Sequence, residues 1–175
     1  MSQLSQYSKA RVAITVAFIA NGSIAGSFYS RIADIKKNLD ISNSALGIAL
    51  LIVALGVLVG LAFSGKQSAK YGSAPVTLYG TYALGTSILG LGLANNYLTL
   101  CLGFLIIGAC LSTQDVAMNS HAIVLEHESG NRYMSTFHAI FSLGALGGGV
   151  IGGWFSQNDI PLMKHVAFIA MLTYL

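Results

Sequence analysis

From residue 71 to residue 114 this chain carries no charged side chain. As α-helix those 44 residues would extend about 66 Å, roughly twice the ~30 Å hydrocarbon core of a bilayer. A soluble domain has no place for such a stretch. The pair Asn95-Asn96 divides it, so it reads as two membrane spans joined by a very short turn. The same reasoning segments the rest of the chain. Spans are expected over residues 12–29, 45–63, 75–94, 97–124 and 133–154. A sixth apolar segment occupies 162–175 and reaches only about 21 Å as a helix, so it is incomplete as a span. The chain is 54% apolar and 9% charged, against about 25% charged in ordinary soluble domains. The expected class is an all-α, multi-pass membrane protein whose first partner is the lipid bilayer. A net charge of +3, with no basic stripe among aromatics, excludes a nucleic-acid binder.

The connections are polar and short. Residues 1–9 read as a tail. Residues 31–44 hold Ile32, Ile35 and Leu39 in a short amphipathic segment suited to the membrane surface. Residues 64–74 read as a tight basic turn, after which Pro75 opens the third span, a position that proline tolerates. Small residues recur every fourth position. Gly22, Gly26 and Ser30 form one row, and Gly144, Gly148 and Gly152 another, with Ala145, Gly149 and Gly153 beside it. Gly47, Gly56 and Gly60 are further small positions in the second span. Such rows let helix backbones approach closely. Cys101 and Cys110 lie in one apolar run without ligand spacing and read as packing residues. No metal and no cofactor is expected.

Polar residues inside spans carry the chemistry. A charge near the bilayer centre costs about 2.5–3.5 kcal/mol on insertion scales, so Asp115 is a functional position by default. Ser112, Asp115 and Asn119 fall three and four apart on one helix face. Gln114, Met118 and His121 form the adjacent stripe. Asn21 is polar near the middle of the first span. His138 opens the fifth, and histidine can move protons near physiological pH. Glu126, Glu128 and Arg132 read as a solvated turn or a gating ion pair. This pattern suits a carrier that binds a small solute and protons. An intramembrane enzyme or a non-transporting sensor are the alternatives, although neither HExxH nor GxSxG occurs in the sequence.

Two stretches resemble the major facilitator superfamily. GKQSAKYGS is similar to its G-x-x-x-D-R-x-G-R loop, with Gly65, Lys70 and Gly72 at matching positions. Ala69 stands in place of the Asp, and Ser73 where Arg is common. DVAMNSHAIVLE followed by MSTFHAIFSLGALGG resembles the fucose-permease-like bacterial branch, as does SRIADIKKNLDISNSALGIALL. The resemblance implies the N-terminal six-helix half of a twelve-helix fold, with the sixth helix incomplete and the C-terminal half absent. It further implies alternating-access transport of a sugar or related metabolite, with Asp115 in the helix that carries an acidic proton site. Asp115, Asn119, His138 and Asn21 become substrate or proton candidates, Gly65, Lys70 and Gly72 gating candidates, and Gly144, Gly148 and Gly152 packing positions. The opposing wall would come from the missing half or a second copy.

Basic residues favour a cytoplasmic N-terminus by one: Lys9, Arg11, Lys66, Lys70 and Arg132 on one side, against Arg31, Lys36, Lys37 and Lys164 on the other. The resemblance implies the same orientation, in a bacterial inner membrane. A reporter fused after Asn95 should then be periplasmic and one after Ser129 cytoplasmic. The reverse pattern of reporter activity would overturn this topology.

Overall fold

The computed structural model describes residues 3–174; Met1, Ser2 and Leu175, the ends of the expected tail and sixth segment, lie outside them. All regular structure among the described residues is helical. The elements are α1 (Gln3–Ser30), α2 (Ile32–Asn38), α3 (Asn43–Tyr71), α4 (Ser73–Ser87), α5 (Leu89–Leu93), α6 (Tyr97–Ser129), α7 (Met134–Gln157) and α8 (Leu162–Leu172). Five helical segments are long and apolar enough to cross a membrane, with α4 and α5 together forming one. The shorter α8 has 11 residues, about 16 Å of helix.

Local chemistry sets the ends. Ser42 accepts a hydrogen bond from the Ala45 amide at 3.1 Å and starts α3. Asn96 starts α6 with a capping box, its side chain taking the Thr99 amide at 2.9 Å while Thr99 Oγ1 accepts from the Asn96 amide. Gly130 stops α6 in the left-handed region at φ 69°, which glycine adopts without a Cβ clash. Two boundaries differ from the sequence reading. Residues 3–9 are helical and continuous with the first span. The basic stretch after Ser64 is also helical as far as Tyr71, because Lys66, Gln67, Ala69 and Lys70 are good helix formers. The chain turns only at Gly72, at φ 85°. The third span is broken at Ile88, where Ser87 Oγ donates back to the Leu84 carbonyl at 2.8 Å. Such back-bonding bends helices.

The two most extensive pairings are α1 with α7 and α3 with α6. Both are made at glycine. A Cβ at Gly22 would lie 2.1 Å from the Phe141 carbonyl oxygen, and one at Gly26 2.0 Å from that of Ala145. From the other side, Gly144 and Gly148 would meet Ile19 and Ser23 oxygens at 2.5 and 2.1 Å. The second pair repeats the device. Gly56 faces the Leu105 oxygen, Gly60 that of Ala109, and Gly108 that of Val53, each at 2.2 Å from a would-be Cβ. Hydroxyls stitch the same seams: Ser112 Oγ donates to the Val57 carbonyl and Ser64 Oγ to that of Thr113, both at 2.8 Å. The expected small-residue rows are not all used. Gly47 and Gly153 face open space, whereas Gly152 packs against Ser30 Oγ.

The pairing is reciprocal. The chain divides into α1, α3 and α4–α5, followed by α6, α7 and α8. The leading helix of each set lies on the second helix of the other, and α5 meets α8. This is the arrangement of two three-helix repeats. α1 and α6 thereby form the interior, with Phe18 of α1 stacked on Phe137 of α7 at 5.3 Å. α3 and α7 expose Leu51, Leu55 and Leu58, and Leu143, Leu146 and Val150. Such faces would drive association in water, but they are at home against lipid tails.

Gly148→Leu should therefore force α1 from α7 and destabilise the fold by about 1–3 kcal/mol. Gly153→Leu, on open space, should not. Thermal melts of both variants in one detergent check this, and equal midpoints would overturn the packing assignment.

Candidate functional site

Asp115 and Gln114 are neighbours in α6 that point about 100° apart, as successive helical residues must. Gln114 is fully buried. Its Nε2 donates to the Ala17 carbonyl and to Thr81 Oγ1, each at 3.2 Å. Its Oε1 accepts from Asn21 Nδ2. One amide thus joins α1, α4 and α6 with its polar atoms paired. Interhelical hydrogen bonds of this type contribute about 0.6 kcal/mol each on average in a membrane, so their main effect is to fix how α6 is rotated. That rotation turns Asp115 outward.

Asp115 is exposed and Asn119 half-buried. Asn119 Nδ2 donates to the Asp115 carbonyl at 2.8 Å and to its Oδ1 at 3.3 Å. His138 of α7 is exposed as well and close enough to Asp115 to interact with it electrostatically. The His138 ring stands edge-on to Phe18 at 5.4 Å, and its carbonyl accepts from Ser142 Oγ at 3.0 Å. Three of the sequence candidates, Asp115, Asn119 and His138, therefore share one open face between α6 and α7. Phe18, stacked on Phe137, packs against the His138 side of this face. A carboxylate, an amide and an imidazole together can bind a polar solute and hold a proton.

The other candidates lie elsewhere. Asn21 is buried at 3% exposure, on Gln114. Ser112 is buried against α3, away from Asp115. His121 lines a separate groove with Ala13, Thr77 and Thr81. Gly65 and Lys70 sit in the last turns of α3, Gly65 with no atom near a would-be Cβ and Lys70 over the Tyr71 ring at 4.8 Å. Gly72 makes the α3–α4 corner. Glu126 is more than a solvated turn: its carboxylate accepts the amides of Tyr133 and Met134, the latter at 2.8 Å, and so caps α7. Arg11 lies over the Tyr133 ring at 5.1 Å beside it.

Two polar centres escaped the sequence reading. Gln114 belongs by sequence to the stripe beside Asp115, and an amide inside an apolar span is itself a sign of a buried partner. Arg31 lies by sequence in a polar connection, yet it is only 3% exposed. Its guanidinium pairs with Asp34 at 2.6 Å and donates to the Ile160 carbonyl at 2.8 Å. Ser156 Oγ donates to the other Asp34 oxygen at 3.0 Å. Buried His165, 4.9 Å from the Phe155 ring, lies within their field. This cluster ties the α1–α2 connection to the α7–α8 turn. Among the described residues no three His, Cys, Asp or Glu side chains gather as metal ligands.

Known proteins place this arrangement. An uncharacterized transporter of Sinorhizobium fredii is 31% identical over 158 residues, 90% of this chain and 42% of the relative. An uncharacterized MFS-type transporter of Yersinia pestis is 29% identical over 168 residues, 94% of this chain and 43% of that one. The membrane protein MosC of Rhizobium meliloti is 27% identical over 163 residues, 90% of this chain and 40% of its own length. The chain thus spans about two fifths of the curated relatives it matches. No solved structure matches it. The sequence model of the Major Facilitator Superfamily matches residues 12–173, nearly all of the helical bundle described above, and this multi-pass membrane protein belongs to that superfamily.

Proposed function

We propose that this chain is one wall of a solute carrier that works by alternating access and couples to protons through Asp115. The observation that carries the reading is the open cluster of Asp115, Asn119 and His138 within two membrane-crossing helices. An ionised carboxylate held against lipid is penalised by about 2.5–3.5 kcal/mol on insertion scales. This face is therefore a water-filled or protein-covered one. The matched relatives are more than twice as long as the chain, and a second half of that size would supply the opposing wall.

In this reading Asp115 takes up and releases the proton, Asn119 orients it, and His138 completes the polar lining. Asn21 acts from behind by holding Gln114. The solute is a small polar molecule, a sugar or related metabolite, in line with the likeness of DVAMNSHAIVLE and MSTFHAIFSLGALGG to the fucose-permease-like branch. Gly65, Lys70 and Gly72 stand at the cytoplasmic mouth of an inner-membrane protein whose N-terminus is cytoplasmic. Catalysis has no part in the cycle.

Asp115→Asn in the full-length protein tests the proposal. Asparagine keeps the size and the hydrogen bond but cannot ionise, and a neutral amide is desolvated at less cost than a charge. Substrate-for-substrate counterflow in proteoliposomes should persist, whereas uptake driven by a pH gradient should stop at equal concentrations on both sides. Unchanged accumulation would move coupling elsewhere, with His138 next to be tried. Absence of any saturable exchange by the unaltered protein would favour a sensor or an enzyme. In this reading the 175-residue chain should not accumulate solute as a monomer, since one wall encloses no substrate.

A further inference from the structure

A groove of about 490 Å³, whose lining lacks Asp115, Asn119 and His138, lies between the end of α3 and the start of α4, with Thr113 of α6 also in its lining. Phe63, Gln67 and Tyr71 of α3 form one side, and Val76, Tyr79 and Ala83 of α4 the other. Its volume is that of a small-molecule site, but its lining is almost wholly apolar, and Tyr71 and Tyr79 stand open at its edges. Nothing about such a lining selects a polar solute. What sits at its mouth does.

Lys66 and Lys70, one helical turn apart on α3, are both exposed. Between Asp40 and Asp115 they are the only charged residues of the chain. No carboxylate in that long stretch neutralises them. The Lys70 ammonium lies 4.8 Å from the ring centre of Tyr71, and so directly at the rim of the groove. The arrangement is an apolar slot at the end of a membrane-crossing helix, with Lys70 at its rim and Lys66 one turn back on the same helix, both on long flexible stems that can reach the headgroup layer. An acyl chain fits the slot and an anionic headgroup fits the charges. Basic pockets between membrane helices are built to take such lipids.

We propose that this groove is a binding site for an anionic phospholipid, its acyl chain between α3 and α4 and its phosphate at Lys66 and Lys70. The proposal does not rest on the role of Asp115.

Native mass spectrometry of the 175-residue chain in mild detergent tests it, with phosphatidylglycerol and phosphatidylcholine of identical acyl chains as probes. Each lysine near an anionic headgroup contributes about fivefold, so phosphatidylglycerol should be retained roughly 30-fold better than phosphatidylcholine. Lys66→Gln with Lys70→Gln should abolish that preference. Lys36→Gln with Lys37→Gln, on a different connection, should leave it intact. Ala83→Phe, at an exposed position that fills the slot, should lower retention of both lipids. Equal retention of the two lipids by the unaltered chain would overturn the proposal. So would a preference that survives loss of Lys66 and Lys70 or follows Lys36 and Lys37. A lipid-free dimer would assign the groove to a second copy and overturn it equally.

Discussion

Lipid tails are as apolar as leucine, so burying leucine against another helix in a bilayer gains little. What holds helices together there is close contact and the hydrogen bonds that contact permits. In this protein the contact is made where side chains are missing. At Gly22, Gly26, Gly144 and Gly148, and again at Gly56, Gly60 and Gly108, backbone meets backbone with no room for a methyl group. These positions determine which helix lies on which. They bring α1 and α6 to the centre, where Gln114 can reach Ala17, Thr81 and Asn21 together. The buried amide in turn leaves its neighbour Asp115 facing outward. The candidate site is thus a consequence of packing on the far side of its own helix.

Much of this was legible in the sequence, and the rest was not for physical reasons. Hydropathy and length marked the spans, because the bilayer imposes both on any helix that crosses it. Asp115, Asn119 and His138 stood out because charge and polarity are costly there. Which glycine row is used could not be read. Gly152 and Gly153 are adjacent and chemically identical, and only the rotation of α7 against α1 decides that one is packed and the other free. Asn21 was visible as a polar residue in a span, but its partner lies 93 residues away in sequence, beyond any local pattern. Lysines at the end of a span look like a loop, although nothing before Gly72 breaks the helix.

Charges near the ends of the bundle tell a similar story. Composition assigns Arg31, Asp34 and Glu126 to solvated connections. In the folded chain Glu126 satisfies the free amides at the start of α7, and Arg31 with Asp34 binds the first connection to the turn before α8. Each serves a backbone or side-chain group that would otherwise be unpaired at the edge of the membrane. Glu126 ties α6 to the start of α7, and the Arg31–Asp34 pair ties the α1–α2 corner to the end of α7, so α7 is held near both ends by polar contacts and along its middle by glycine contacts with α1.

The reciprocal pairing also sets an order in time. Ser112 of α6 reaches Val57 of α3 across 55 residues of chain, whereas Ser27 of α1 reaches Gly148 of α7 across 121. At about 5–20 residues per second of synthesis, the partner of α3 emerges about 3–11 s after it, and that of α1 only after about 6–24 s. Although α1 precedes the other helices described here, it is therefore among the last of them to find its mate. Through that interval its glycine-lined flank is covered by lipid alone, so a nascent chain stalled before α7 would hold the α3–α6 pair assembled and α1 tethered only through Gln114 and its other contacts with α4 and α6.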